Sequence, residues 1–340
     1  MAHARVLLPG KQAVALASLF SLLYSYPAVP IWSDQKNRYA SWEEFMHLST
    51  HNWMRAEPLE TTLARISKFG YESIEISGEP KQYDTKETRK LLQKYGIRCW
   101  GSVTLTLGDR NLAARDEGQR ARSVSYVKSV LDMIHELEGE IITLVPVTVG
   151  KISPDGTPEE EWKWLVDALK ECYAHAKKQG VRVAIEPLNR FETYVLNRSD
   201  QALALADAIA PDCGVCLDAF HLNIEDADMF ASIRKAGKRI YDFHVADNNR
   251  MAPGQGALDW PKIVQALRDA KYDGALTVEF VAPIDRTPAT RYPDQIEKNP
   301  VDISPEQLKF IQDHGSSLLS EGFYTMLVET SAKTLLPLIK

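Results

Sequence analysis

Cysteine is scarce in this chain, with four in 340 residues: Cys99, Cys172, Cys213 and Cys216. That is too few for a disulfide-stapled scaffold and fits a reducing compartment without excluding others. Cys213 and Cys216 form a C-x-x-C, yet no second pair exists to complete a zinc site, and the motif runs into the apolar stretch Val215-Cys216-Leu217. Small buried thiols are the expectation. Basic charge is also short: 40 Lys and Arg against 46 Asp and Glu leave a net charge of −6. A surface for nucleic acid is therefore not expected. Nor is a membrane partner. The apolar run Ala13 to Tyr24, after Arg5 and Lys11, resembles the core of a signal peptide but is too short to span a bilayer. The cleavage site beyond it is poor, so a cytoplasmic protein is expected, with export as the alternative. Finally, no Gly/Ser-rich or Pro-rich linker divides the chain, and no Gly-rich nucleotide turn follows the first strand. One domain over 44–340 is expected, with 1–43 as an N-terminal extension.

What is present is a regular alternation of short apolar runs and amphipathic stretches. Phe45 to Leu48 opens a first strand, and Pro58 to Phe69 carries Leu59, Leu63, Ile66 and Phe69 at helical spacing. Strands follow at Tyr71–Ile76, Ile97–Leu105, Ile141–Val147, Val181–Ile185, Val215–Leu217, Ile240–Phe243 and Ala275–Val278. Between them lie helices at Thr85–Tyr95, Glu117–Glu138, Thr157–Gln179, Ser199–Ile209, Ala227–Ala236 and Trp260–Ala270, and a last helix fills much of Pro305–Leu336. Thr157-Pro158-Glu159-Glu160 is a helix start, with threonine as N-cap and proline in the first turn. Eight β/α units of about thirty residues imply parallel strands around one core. The expected fold is a (β/α)₈ TIM barrel with an N-terminal extension and a C-terminal helix.

Polar residues fall at four successive strand ends: Glu186 after the fifth, Asp218 after the sixth, His244 after the seventh and Glu279 after the eighth. In such a barrel every C-terminal strand end meets on one rim, where active sites are built. Three carboxylates brought together there repel one another and resist desolvation. One divalent cation removes that cost. An oxygen-rich set with one imidazole suits Mn²⁺ best, with Mg²⁺ or Co²⁺ also acceptable. A carboxylate at a strand end is commonplace taken singly; four at consecutive ends are not.

At these residues the sequence resembles the D-tagatose 3-epimerase/D-psicose 3-epimerase group of the xylose isomerase-like barrel superfamily. Glu186-Pro-Leu-Asn-Arg-Phe-Glu192 and Leu217-Asp-Ala-Phe-His-Leu-Asn-Ile-Glu225 carry the likeness, with His244-Val-Ala-Asp-Asn-Asn-Arg250, Pro253-Gly-Gln-Gly256, Trp260, Tyr272-Asp-Gly274 and Glu279. The resemblance implies that Glu186 and Glu279 bind the metal and also form the acid/base pair, one on each face of the sugar. It implies that Asp218 and His244 are ligands only. Glu192, His221 and Arg250 would hydrogen-bond the carbonyl and neighbouring hydroxyls. The implied activity is that of a sugar isomerase or epimerase removing a proton beside a keto group, where the metal stabilises the developing enediolate. A small keto-sugar is the implied partner, and a homo-oligomer the implied assembly.

Two segments depart from the simple epimerases: the first forty residues, and Ala282 to Pro305. The loops Gly78-Glu79-Pro80 and Thr106–Arg110 would help select the sugar, and Trp53 and Trp100 would either stack on it or fill the core. The nearest rival reading is the catalytic (alpha) subunit of a C-glycoside deglycosidase acting on 3-oxo-glycosides, a carbon–carbon lyase in a hetero-oligomer with a small subunit. An apurinic endonuclease-like enzyme needs a basic groove that the charge balance disfavours. A non-catalytic sugar-binding barrel would have no use for both candidate acid/base carboxylates.

Overall fold

The structure, a computed structural model, describes residues 46–340 apart from 56, 284–286, 290, 291, 293 and 296–318. The expected 1–43 extension and the expected start of the last helix at Pro305 lie outside those residues. Eight parallel strands form one sheet: β1 (His47–Thr50), β2 (Ser73–Gly78), β3 (Arg98–Thr104), β4 (Ile141–Leu144), β5 (Arg182–Ile185), β6 (Gly214–Asp218), β7 (Ile240–Val245) and β8 (Ala275–Val278). Their order is β1-β8-β7-β6-β5-β4-β3-β2, as in a TIM barrel. The seam between β1 and β2 is stitched by the Glu72 N–H donating to Leu48 O at 3.0 Å and by a bridge between His51 and Glu75.

The helices among the described residues are α1 (Leu59–Ile66), α2 (Thr85–Tyr95), α3 (Glu117–Glu136), α4 (Pro158–Gln179), α5 (Ser199–Ile209), α6 (Ala219–Glu225), α7 (Met229–Ala236), α8 (Trp260–Asp269) and α9 (Glu321–Ile339). Local chemistry sets their starts. The Thr157 hydroxyl accepts the Glu160 N–H at 3.3 Å, and the Glu160 carboxylate accepts the Thr157 N–H at 2.9 Å. This reciprocal pair satisfies two donors that a helix start leaves open. Asp84 caps α2 in the simpler way, accepting from Lys86 and Glu87. Ser320 caps α9 by accepting the Phe323 N–H at 3.2 Å.

Several boundaries differ from expectation. Strand β4 stops at Leu144 instead of Val147, and α9 runs on to Ile339 past Leu336. The separate short helix α6 was not foreseen, because seven residues give too few turns for a periodic signal. Strands β6 and β7 are longer than expected and include Asp218 and His244, which pair with each other across the ladder. In parallel pairing a strand continues as long as its neighbour supplies partners, and His244 has Asp218 on one side and Thr277 on the other. All four cysteines are buried and free, as expected of small core thiols. Among the described residues no helix is long and apolar enough to cross a membrane.

Candidate metal centre

The C-terminal rim gathers the polar residues. Glu186 follows β5, with its N–H bonded to Leu144 O at 3.1 Å, and Glu279 follows β8, with its N–H bonded to Val245 O at 3.0 Å. Asp218 ends β6 and also begins α6: its Oδ1 accepts the Phe220 N–H at 2.7 Å, which leaves Oδ2 to face the rim. One ligand atom from each of Glu186, Asp218, His244 and Glu279 lies within 4.8 Å of every other. His244 Nδ1 stands 3.1 Å from Glu186 Oε1 and 3.4 Å from Glu279 Oε2. Ligands about 2.1 Å from one ion are about 3–4 Å apart, so these residues fit a divalent cation after small side-chain adjustments.

Positive charge is already drawn to this spot. The Arg250 guanidinium bridges Asp218 and Glu279, reaching the latter at 2.9 Å, and lies 4.6 Å over the Phe220 ring. Burial alone would depress the His244 pKa, but the Cys216 sulfur and the carboxylates of Glu186, Glu279 and Glu75 hold it well above its ordinary value. The two outer glutamates part company. Burial raises Glu186 above the usual carboxylate range, whereas at Glu279 the opposing pull of His244 and Arg250 overcomes burial and holds it well below.

His221 is fully buried beside Asp218, with its Nε2 3.7 Å from Asp218 Oδ2. Its Nδ1 accepts both the Asn189 backbone N–H at 3.2 Å and the Asn189 side-chain amide at 2.9 Å, so Nε2 carries the proton and points to the rim. The same Asn189 amide donates to Glu192 Oε1 at 2.7 Å. Glu192 thus joins the site through Asn189 and is half-buried.

The loop presenting Arg250 is organised by Asp247. Its buried carboxylate accepts the N–H groups of Asn248, Gly254 and Leu258, each at 3.0 Å, and the Trp260 indole N–H at 3.1 Å. Gly256 packs against that carboxylate so closely that a Cβ there would stand 2.2 Å from Asp247 Oδ1, and Gly254 adopts a φ of +93° open chiefly to glycine. Arg250 itself has a φ of 59°, held by its N–H on Asp247 O and by its O accepting from Val281, both at 2.9 Å. Such strain persists only where surrounding bonds enforce it. Replacing Asp247 with alanine strands these donors, so the variant is expected to lose roughly 1–3 kcal/mol of stability and to be cut faster by protease within 248–258. Thermal melts and limited proteolysis read both effects; an unchanged cleavage rate would separate Asp247 from the loop's order.

Four residues near the site were not singled out from sequence: Asn189, His51, Glu75 and Asp242. His51, Glu75 and Asp242 are fully buried around His244. His51 Nε2 is 3.5 Å from Glu279 Oε1, and Glu75 Oε1 is 3.6 Å from His244 Nε2. Burial pushes His51 down to about 3, and burial together with Asp242 raises Glu75 above the usual carboxylate range. At Asp242 burial works against ionisation, but bonds from His244 and other neighbours keep its carboxyl below the usual value. The signal for Glu75 and Asp242 was available: a charged residue in mid-strand on the inward-facing register. Trp100 belongs with them. It lies in β3 with its indole N–H on Asp242 at 3.1 Å, beneath the rim and not on a sugar-facing surface. The loops expected to select the sugar are tied together, since Arg110 makes a two-pronged bond to Glu79 at 2.6 and 3.0 Å.

Fold and site together define a TIM-barrel protein with three carboxylates and one histidine gathered at the C-terminal rim of its strands. The chain belongs to the xylose isomerase-like TIM barrel family, whose model matches residues 63–314. The D-psicose 3-epimerase of Enterocloster bolteae is 32% identical over 226 residues, covering 63% of this chain and 74% of that protein. The L-ribulose 3-epimerase of Methylomonas sp. is 29% identical over 220 residues, 64% of this chain and 76% of that one. Among solved structures, the D-allulose 3-epimerase of Methylomonas sp. in complex with D-allulose superposes with a TM-score of 0.70 at 22% identity, covering 87% of this chain and 96% of that one. The relatives are isomerases, and this chain is an enzyme of that class.

Proposed function

We propose that the protein is a divalent-metal-dependent ketose 3-epimerase, with Glu186, Asp218, His244 and Glu279 holding the ion. The observation that carries this reading is the cluster itself: four ligand atoms from four consecutive strand ends within 4.8 Å, on the rim where barrel enzymes react. The names of its curated relatives supply the substrate class, since both act on ketoses or their close kin.

A carbon acid beside a ketone is far too weak for a free carboxylate to deprotonate quickly. A bound divalent ion would supply Lewis acidity at the ketone and hydroxyl oxygens, worth several kcal/mol. The remaining work falls to this chain's side chains. Glu186 and Glu279 come from strands on either side of β6 and β7, and in this reading they face the sugar from opposite sides. One takes the proton from carbon and the other returns one to the opposite face, which inverts the centre. Arg250 places a fixed positive charge where the oxygen becomes negative. His221, with its Nε2–H aimed at the rim, and Glu192, oriented by Asn189, would hold hydroxyls.

The substrate is expected to be a free sugar. Arg110 at this rim is engaged by Glu79 and Arg250 serves the reacting oxygen, and a phosphate would meet the carboxylates of Glu186, Asp218 and Glu279 there.

The test is to incubate the protein with ketoses and added Mn²⁺ in D₂O. Deuterium is expected at C3 of both epimers, and chelator-stripped protein is expected to lose activity by about 100-fold or more and regain it with Mn²⁺. Including a 3-oxo-C-glycoside separates epimerisation from elimination. Full turnover after complete metal removal would refute the reading.

A further inference from the structure

We infer that Asp242 is a positioning residue of this centre: its carboxylate holds the His244 ring in the tautomer that leaves Nδ1 open toward the ion. The inference rests on the metal assignment proposed above.

Alternation along β7 puts residues 242 and 244 on the same face of the strand. The ladder pairs Cys216 with Asp242 and Asp218 with His244, so Asp242 sits one layer beneath the ligands, fully buried. Five donors converge on it. Oδ1 accepts the Trp100 indole N–H at 3.1 Å, the Phe243 N–H at 2.9 Å and, more distantly, the Thr277 hydroxyl at 3.4 Å. Oδ2 accepts the Thr143 hydroxyl at 3.0 Å and faces His244 Nε2 at 3.2 Å.

The indole and backbone N–H groups can only donate. They fix the carboxylate in place independently of His244, and its remaining oxygen can only accept. His244 Nε2 must therefore carry a hydrogen. To ligate an ion His244 must be neutral, and a neutral imidazole has one donor and one acceptor, so a hydrogen on Nε2 leaves the lone pair on Nδ1, in the gap between Glu186 and Glu279. The opposite tautomer would aim an N–H at the ion and a lone pair at a carboxylate. Glu75 Oε1, at 3.6 Å, is too far to be the acceptor. Outer partners of this kind typically contribute 10–100-fold in metal affinity.

The experiment compares D242A and D242N with wild type as full-length proteins, measuring Mn²⁺ affinity and stoichiometry by titration. In D242N the Trp100 and Phe243 N–H groups claim the amide oxygen, so the amide NH₂ is turned on His244 Nε2 and imposes the wrong tautomer. In D242A a water molecule can take the acceptor's place. Wild type is expected to bind one Mn²⁺ per chain. D242N is expected to lose about 10–100-fold in affinity, and more than D242A, although both remove the same charge. With Mg²⁺ bound, a slowly exchanging His244 Nε2–H resonance is expected in wild type and not in D242N. Thermal melts of the metal-free proteins confirm that each variant folds. Equal losses in the two variants would reduce Asp242 to a simple charge, and a larger loss in D242A would reduce it to packing; either overturns the inference. Two ions per wild-type chain would overturn it too, by assigning Asp242 with Glu75 and His51 to a second site. No Mn²⁺ uptake by wild type at all would instead bring down the metal assignment.

Discussion

Replacing Glu279 with glutamine is expected to leave a folded barrel that no longer epimerises a ketose. The side chain is nearly the same size and keeps an oxygen within reach of Arg250, so packing around β8 changes little. What disappears is a group able to take up a proton. Loss of a positioned general base costs about 10²–10⁴-fold in rate, and weaker ion binding adds to that. In the metal-free protein Glu279 is the more acidic of the two candidate carboxylates, held so by His244 and Arg250 against the effect of burial. The measurement has two parts: turnover at saturating Mn²⁺, and solvent deuterium exchange at C3. Both are expected to fall together, with circular dichroism unchanged. Wild-type rates in E279Q would show that the proton moves through another residue.

The second large effect lies far from the chemistry. Glu57, between β1 and α1, has a fully buried carboxylate that receives Arg55, Arg65 and the Thr62 hydroxyl, the last at 2.7 Å. Arg65 also donates from Nε to Thr325 at 2.8 Å on α9 and lies 4.9 Å over the Tyr324 ring, while Arg55 donates to Leu319 O at 2.9 Å. One glutamate thus anchors two arginines that clasp the C-terminal helix. Removing one partner from a buried ion network leaves uncompensated charge and costs about 3–5 kcal/mol. E57A is therefore expected to melt roughly 6–20 °C below wild type, at about 2–4 °C per kcal/mol for large domains, with kcat at 25 °C nearly unchanged. A melting temperature within a degree or two of wild type would mean the network contributes nothing net.

The two variants separate the two layers of this protein. The rim residues bring like charges together at a cost of repulsion, and the Glu57 cluster holds the helix Glu321–Ile339 against the first β/α unit. Neither layer was equally visible beforehand. Thr157 and Glu160 declared their helix start within four residues, and period-2 and period-3.6 patterns marked the strands and long helices. Boundaries slipped where pairing with a neighbour decides them, as at Leu144 in β4 and Val245 in β7. Glu57 is not legible in the sequence: its partners Arg55, Thr62 and Arg65 are close by but form no motif, and the helix that the two arginines clasp begins at Glu321.

The sequence by itself determined the barrel and the meeting of Glu186, Asp218, His244 and Glu279, because alternating β/α units leave parallel strands no choice but to end on one rim. Which residues stand behind them was decided only by the tertiary structure. Asp242 touches Trp100 on β3, Thr143 on β4 and Thr277 on β8, and Asp247 gathers donors from across its own loop. Each is an ordinary residue in its local window, and hydrogen bonds across a closed sheet depend on register and twist, which local periodicity does not encode.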